Sequence, residues 1–316
     1  MTATSNKLRF KEVGVGLRQR LQKLTGPLAL LGPSGVWLIL FLVLPTLLIL
    51  DISLVPGLRP EDPGGAYGLG NYSQVFNPFD PSFDWVYLQV IGRSLYYATV
   101  ATLACLVLGF PVAYWLAIMA PRRWRSFLVV AFILPLWTSS LLRAYAWMSI
   151  LRPTGLLNSF VTWVSSWLPG VDLPTQAWLY TSMAVFIGLT YNFLPYMVLI
   201  LYASLEKLDI SLLEASADLG ATPRQTFWKV TVPQTLPGIA AGCLLVFITS
   251  MGDFVVPTLL GGASSMTISR LIYNQFLGIT RNWGLGSSLS MVLILAVSLA
   301  IALLLRYGDR DSVKEA

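Results

Sequence analysis

Apolar residues along this chain fall into long runs separated by shorter polar stretches. A bilayer core takes about 20 mostly apolar residues per helix. Six runs meet that length: residues 28–54, 94–120, 127–151, 178–205, 236–260 and 287–305. They predict an all-α integral membrane protein of six spans. A tail at residues 1–27, a loop at 206–235 and a second tail at 308–316 lie outside the runs. Within them the only formal charges are Asp51, Arg143 and Asp253. Every run except the sixth contains proline (Pro45, Pro111, Pro135, Pro195, Pro257). Membrane helices tolerate this where neighbouring groups satisfy the freed backbone.

Composition sharpens the class. Hydrophobic residues make up 55% of the chain and charged residues 11%, and the mean hydropathy is +0.68. A soluble domain is about 45–50% apolar and about 25% charged. A disordered chain, a coiled coil and an ordinary soluble enzyme are excluded. There is no histidine, which removes zinc sites and catalytic triads built on imidazole. Cys105 and Cys243 each lie inside an apolar run. They read as small buried residues, not as a disulfide framework or a Cys-x-x-Cys motif.

Charge gives direction. Fifteen of the 21 Lys and Arg residues fall on one face. They are the six of the N-terminal tail, Arg122, Arg123 and Arg125 after the second run, Lys207, Arg224 and Lys229 after the fourth, and Arg306, Arg310 and Lys314. The other face holds Arg59, Arg93, Arg143, Arg152, Arg270 and Arg281. By the positive-inside rule both termini are expected in the cytoplasm. The net charge of +6 then follows from topology, with no nucleic acid required. The first apolar run is longer than the roughly 7–15 residues of a signal-peptide core, so the N-terminus does not read as a cleavable signal. Phe10, Val13, Leu17, Leu21 and Leu24 suit a helix lying on the inner membrane surface. Gly14 and Gly16 leave a structureless tail as the alternative. Of the external loops, residues 55–92 are expected to be irregular. Residues 152–177 carry Trp163 and Trp167 at helical spacing, which suggests a short interfacial helix.

The loop at 206–235 encodes two helices. Ser211-Leu212-Leu213-Glu214 has the form of a capping box, and Gly220 suits the residue that ends a helix. Thr222-Pro223-Arg224-Gln225 is a second capping box with proline at its first helical position. Pro233 and Pro237 lead into the fifth span. Ala215, Ser216 and Ala217 are small enough to let another surface approach closely. Glu214 and Asp218, four apart, form an acidic edge that does not help an isolated helix. The residues alone allow a solvated connector or a dock for a separate soluble protein.

This segment resembles a family motif. Permease subunits of bacterial ABC importers carry Glu-Ala-Ala, three residues, Gly, nine residues, then Ile-x-Leu-Pro. Here the order is Glu214-Ala215-Ser216, three residues, Gly220, nine residues, Val230-Thr231-Val232-Pro233. The departures are Ser for the second Ala and Val for both Ile and Leu. The stretches LGNYSQVF (69–76), LPLWTSSLLRAYAWMSIL (134–151), GLLN (155–158) and MGDFVVPTLLGG (251–262) are similar to the spermidine/putrescine branch of that family. The resemblance covers most of residues 69–305.

The resemblance implies a type I importer permease fold in a bacterial inner membrane, moving polyamines inward by alternating access. It implies two copies of an ATP-binding subunit that use ATP and Mg, a second permease that is a different chain, and an external solute-binding protein. Glu214, Ala215, Ser216, Ala217, Asp218, Gly220, Val230 and Pro233 would couple to the ATPase, with Gly220 setting the angle of a lever. The sequence has no Gly-x-x-x-x-Gly-Lys-Ser/Thr phosphate loop, so hydrolysis is expected in a partner chain and no cofactor is expected in this one.

Asp253 is then the most pointed residue in the membrane. A carboxylate at mid-span costs about 2.5–3.5 kcal/mol on insertion scales. It is either an anionic contact for a polyamine or half of a salt bridge with Arg143. Asp51 lies near its span's end and reads as a weaker contact of the same kind. Trp137 and Tyr145 fit either a cation-binding path or an interfacial belt. The rival functions are the same architecture carrying another amine or an organic anion, a passive channel, and a membrane enzyme. The last is opposed by the missing histidines and nucleophile motifs.

Overall fold

The structure, a computed structural model, describes residues 32, 34–62, 65–167 and 176–312, the last ten as backbone alone. The basic N-terminal segment, with the surface helix expected of it, lies outside the described residues. Helix α1 spans Ser34–Ser53, α2 Gly70–Phe76 and α3 Trp85–Met119. After these come α4 (Arg122–Ile133), α5 (Ser140–Leu151), α6 (Leu156–Trp167) and α7 (Ser182–Leu205). The chain continues through α8 (Ile210–Asp218), α9 (Pro223–Gly252), α10 (Val255–Leu260), α11 (Ile268–Leu277) and α12 (Trp283–Ser312). Five of these helices are long and apolar enough to cross a membrane, and α4 and α5–α6 pass the same test only as a pair, bent by 88° at the break between them.

Several bounds differ from the apolar runs. The second span begins at Trp85 rather than residue 94, because the helix carries Arg93 within its first turns. Asp84 caps it by accepting from the Val86 amide at 2.9 Å. The third run, 127–151, is not one helix. Leu134–Trp137 tightens into a 3-10 turn around Pro135, and Thr138 turns extended. The fifth run is also interrupted: α9 starts at Pro223, inside the expected loop, and stops at Gly252, with Asp253 in extended backbone. The sixth helix runs on to Ser312, through part of the expected tail.

The core is built from α3, α7 and α9. Tyr97, Ala101 and Cys105 of α3 pack with Leu189, Met197 and Leu201 of α7 and Val246 of α9, all buried. Close approach relies on small residues, as is general between membrane helices. Gly188 of α7 faces α10 so closely that a Cβ would come within 2.5 Å of Leu260 Cδ1 and 2.7 Å of Val256 Cγ1. Polar staples cross the same layers. Tyr97 Oη is 2.9 Å from Ser182 Oγ, and the Ile268 amide donates to Ser94 Oγ at 2.7 Å. A second cluster, Val75, Val90, Ile268, Leu271, Leu285 and Leu289, seals α2 and α11 against α3 and α12. Before α3, the half-buried Asp80 accepts from Ser73 Oγ, Ser82 Oγ and the Ser82 amide, which lowers its carboxyl to about 2. By contrast α1 contributes one buried residue, Ser53, and its principal helix contact is α12.

Candidate functional site

The elbow between α8 and α9 is built by local hydrogen bonding. Asp209, not Ser211, caps α8: its carboxylate accepts from the Ser211 amide at 2.9 Å. The Ser211–Glu214 capping box is therefore corrected. An aspartate two residues upstream meets the orphan amide first, leaving Glu214 exposed one turn into the helix. The same bond lowers the Asp209 carboxyl. At the other end Gly220 has φ +82. Its amide donates to Ala217 O at 2.9 Å, and the Ala221 amide to Ser216 O at 3.0 Å. These two bonds form a Schellman motif, which favours glycine at the left-handed position.

The second capping box is present. The Gln225 amide donates to Thr222 Oγ1 at 3.3 Å, and the Thr222 amide to Gln225 Oε1 at 2.8 Å. Ser216, where the motif has alanine, lies 2.8 Å from Thr226 Oγ1, so a hydroxyl pair ties α8 to α9. The next residue, Phe227, packs edge-on to Phe110 and Tyr114 of α3, at 5.5 and 5.9 Å between centroids. Residues Phe227–Thr231 form a π-helical turn ahead of Pro233 and Pro237, a common accommodation near proline. Ala215, Ala217 and Asp218 are exposed with Glu214, Leu219 is 89% exposed, and Val230 is half-buried and Pro233 exposed on α9.

The second group lies where α9 breaks. Asp253 Oδ1 accepts from the amides of Val255 and Val256 at 2.8 and 3.3 Å, capping the start of α10. Asn192 of α7, 7% exposed, donates to Asp253 Oδ2 at 3.5 Å, while its own Oδ1 has no partner. The expected salt bridge to Arg143 is not formed. The guanidinium donates to Pro135 O at 2.5 Å, across the break in the third span, and its Nε is buried without a partner. The Pro135 carbonyl, which also accepts from Thr138, takes one arm of the Arg143 guanidinium, and helix amides take Asp253. Arg143, Trp147, Tyr191 and Asn192 line one narrow crevice between α5, α7 and α10. Trp147 and Tyr191 meet edge to face at 5.4 Å.

Of the residues singled out from the sequence, Arg143 lines that crevice and Asp253, Trp137, Tyr145 and Asp51 do not. Trp137 is 83% exposed and Tyr145 50%. Asp51 is exposed and accepts from Tyr67 Oη at 3.2 Å, which raises the Tyr67 phenol. Tyr191 and Asn192 were missed. The available signal was a lone amide inside the apolar run 178–205, beside an aromatic residue.

With this geometry described, comparison with known proteins places the chain. Residues 109–308 match the family model of the binding-protein-dependent transport system inner membrane component. The chain is 42% identical over 265 residues to the spermidine/putrescine transport system permease protein PotB of Escherichia coli, covering 84% of this chain and 91% of that one. It is 36% identical over 258 residues to the inner membrane ABC transporter permease protein YdcU of the same organism, covering 78% and 77%. In fold it is similar to a subunit in the crystal structure of a bacterial alginate ABC transporter in complex with its alginate-bound periplasmic protein. That match has a TM-score of 0.68 at 16% identity and covers 90% of this chain and 94% of that one. The chain is a member of the binding-protein-dependent transport system inner membrane component family, the multi-pass permeases of ABC importers.

Proposed function

We propose that this chain is a polyamine permease, carrying spermidine and putrescine inward through an ATP-driven importer. The observation that carries the proposal is the 42% identity to a spermidine/putrescine permease across 84% of the chain. The chain supplies the membrane path, and a partner ATPase with ATP and Mg supplies the energy. The complete importer has two ATPase copies, a second permease that is a different chain, and an external solute-binding protein. Both termini face the cytoplasm, as does the α8–α9 elbow, in keeping with the distribution of Lys and Arg.

The proposed coupling surface is Glu214, Ala215, Ser216, Ala217, Asp218 and Gly220 on α8 and its turn, with Val230 and Pro233 behind it on α9. A lever must not absorb the motion it transmits. Two caps, the Schellman turn, the Ser216–Thr226 pair and the Phe227 contacts all stiffen the elbow. From the elbow α9 continues for 30 residues to Gly252, about 45 Å at 1.5 Å per residue. ATPase closure against α8 would therefore act directly on the break at Asp253. Alternating access needs two discrete arrangements of packed helices, and the α9–α10 break, held by the Asp253 cap, is a place for them to differ. Asp253 is the proposed anionic contact for a polyamine ammonium group, with Asn192 beside it. Trp137, Tyr145 and Asp51, which are exposed on this chain, would contribute only from a path shared with the second permease.

The test is reconstitution of the complete importer in liposomes with ATP-dependent uptake of labelled spermidine and putrescine. Uptake of either is the expected result. Active hydrolysis with neither polyamine entering, and another amine or an organic anion entering instead, would overturn the solute.

A further inference from the structure

Helix α6, on the membrane face opposite α8, has three distinct sides. At about 100° per residue, Leu157, Asn158, Val161, Val164 and Ser165 share one side, and these are buried or half-buried. Leu156, Phe160, Trp163 and Trp167 share a second, at 72%, 60%, 56% and 73% exposure. Ser159, Thr162 and Ser166 share a third, also exposed and a quarter-turn from the aromatic stripe. The stripe rings stand in a continuous row, with Phe160–Trp163 at 5.9 Å and Trp163–Trp167 at 5.5 Å. The helix carries no charge.

The start of α6 is fixed. Asn158, 2% exposed, donates from Nδ2 to Pro153 O at 3.0 Å and Gln176 O at 2.9 Å, and accepts from Trp178 Nε1 at 3.1 Å. This one amide clamps the helix to the loops entering and leaving it, so neither exposed side can rotate inward.

We infer that α6 is an interfacial anchor whose aromatic stripe lies in the outer boundary of the lipid bilayer. The three sides match three surroundings: protein, acyl chains and water. Tryptophan at a membrane boundary places an apolar body in lipid and a polar N–H tip toward water, and phenylalanine adds apolar area. A helix lying in that plane shows an apolar stripe next to a polar one. Further exposed apolar side chains, Phe127, Val130, Leu134 and Leu142, precede the stripe along the third apolar run. A protein partner covering the helix would bury the adjoining hydroxyl side or pair with charges, and α6 offers no charge to pair.

The inference is tested on the assembled importer in lipid nanodiscs, with Cys105→Ala and Cys243→Ala as background. A nitroxide is placed in turn at residues 156, 159, 160, 162, 163, 166 and 167 through single cysteine substitutions. Collisions with oxygen, which enters lipid, are compared with collisions with a water-soluble nickel chelate. The expected result is an oxygen-to-nickel ratio severalfold higher at 156, 160, 163 and 167 than at 159, 162 and 166. Nickel access at all seven positions would overturn the anchor. So would stripe positions shielded from both reagents, which would mean that another protein chain covers them. If labels at 163 and 167 prevent assembly, the pairs 156/159 and 160/162 read the same alternation.

Discussion

Asp253 performs two jobs that a single atom change separates. Its carboxylate caps α10 through the Val255 and Val256 amides, and it supplies the charge proposed to meet a cationic solute. Asparagine is about as good a cap as aspartate, whereas alanine costs about 0.5–2 kcal/mol. Asp253→Asn should therefore keep the helix break and remove only the charge. A hydrogen bond to a charged group contributes about 1.5–3 kcal/mol, so polyamine uptake in that variant should fall by roughly 10- to 100-fold at low solute concentration. Thermal stability of the assembly should stay within about 1 kcal/mol of the parent. Unchanged uptake would return Asp253 to a purely structural role. The charge was legible in the sequence and its partners were not. Arg143 was the obvious counter-ion by charge, yet the Pro135 carbonyl takes one arm of its guanidinium and the Val255 and Val256 amides take Asp253.

Among the elements, the α8–α9 elbow was the most readable part of the chain, because its signals are local. Gly220, Thr222, Pro223 and Gln225 each do what their spacing predicted. The one error, Ser211 for Asp209, was a choice between two capable caps. The bends in the third and fifth spans were harder to see. Hydropathy averages over a whole span, so a change of backbone direction at Pro135 or Asp253 leaves it untouched. Gly220 gives the element its sharpest test. A non-glycine residue at φ +82 costs roughly 1–2 kcal/mol, enough to redirect α8 without unfolding the membrane helices. Gly220→Leu should insert and assemble normally but transport less solute for each ATP hydrolysed. Gly220→Asn, which tolerates this backbone better, should lose less. Normal stoichiometry in the leucine variant, measured as uptake against phosphate release, would remove the lever.

At the scale of the molecule, the helical class and the five long apolar helices, six spans if the bent α4/α5–α6 pair counts as one, were set by composition and run length, while the packing order was not. Nothing in the apolar runs distinguishes α3, α7 and α9, which form the core, from α1, which barely touches it. The distinction lies in small residues. Gly188 lets α10 sit against α7, and overpacking a closed contact typically costs about 1–3 kcal/mol. Gly188→Leu should push α10 away, widening the crevice beside Arg143 and lowering the melting temperature of the purified assembly. A variant as stable as the parent would mean that the α7–α10 contact is looser than it looks.

The isolation of α1 bears on how the protein is made. Its principal partner, α12, begins at Trp283, near the opposite end of the chain. At roughly 5–20 residues per second, the ribosome finishes α1 tens of seconds before α12 exists. During that interval only its C-terminal end has a partner, α2, where Asn71 Nδ2 donates to Ser53 O at 2.9 Å and Ser53 Oγ lies 2.8 Å from Tyr72 Oη. A chain interrupted before Trp283 would lack the principal helix contact of α1, leaving the bonds from Ser53 to α2 as its tether.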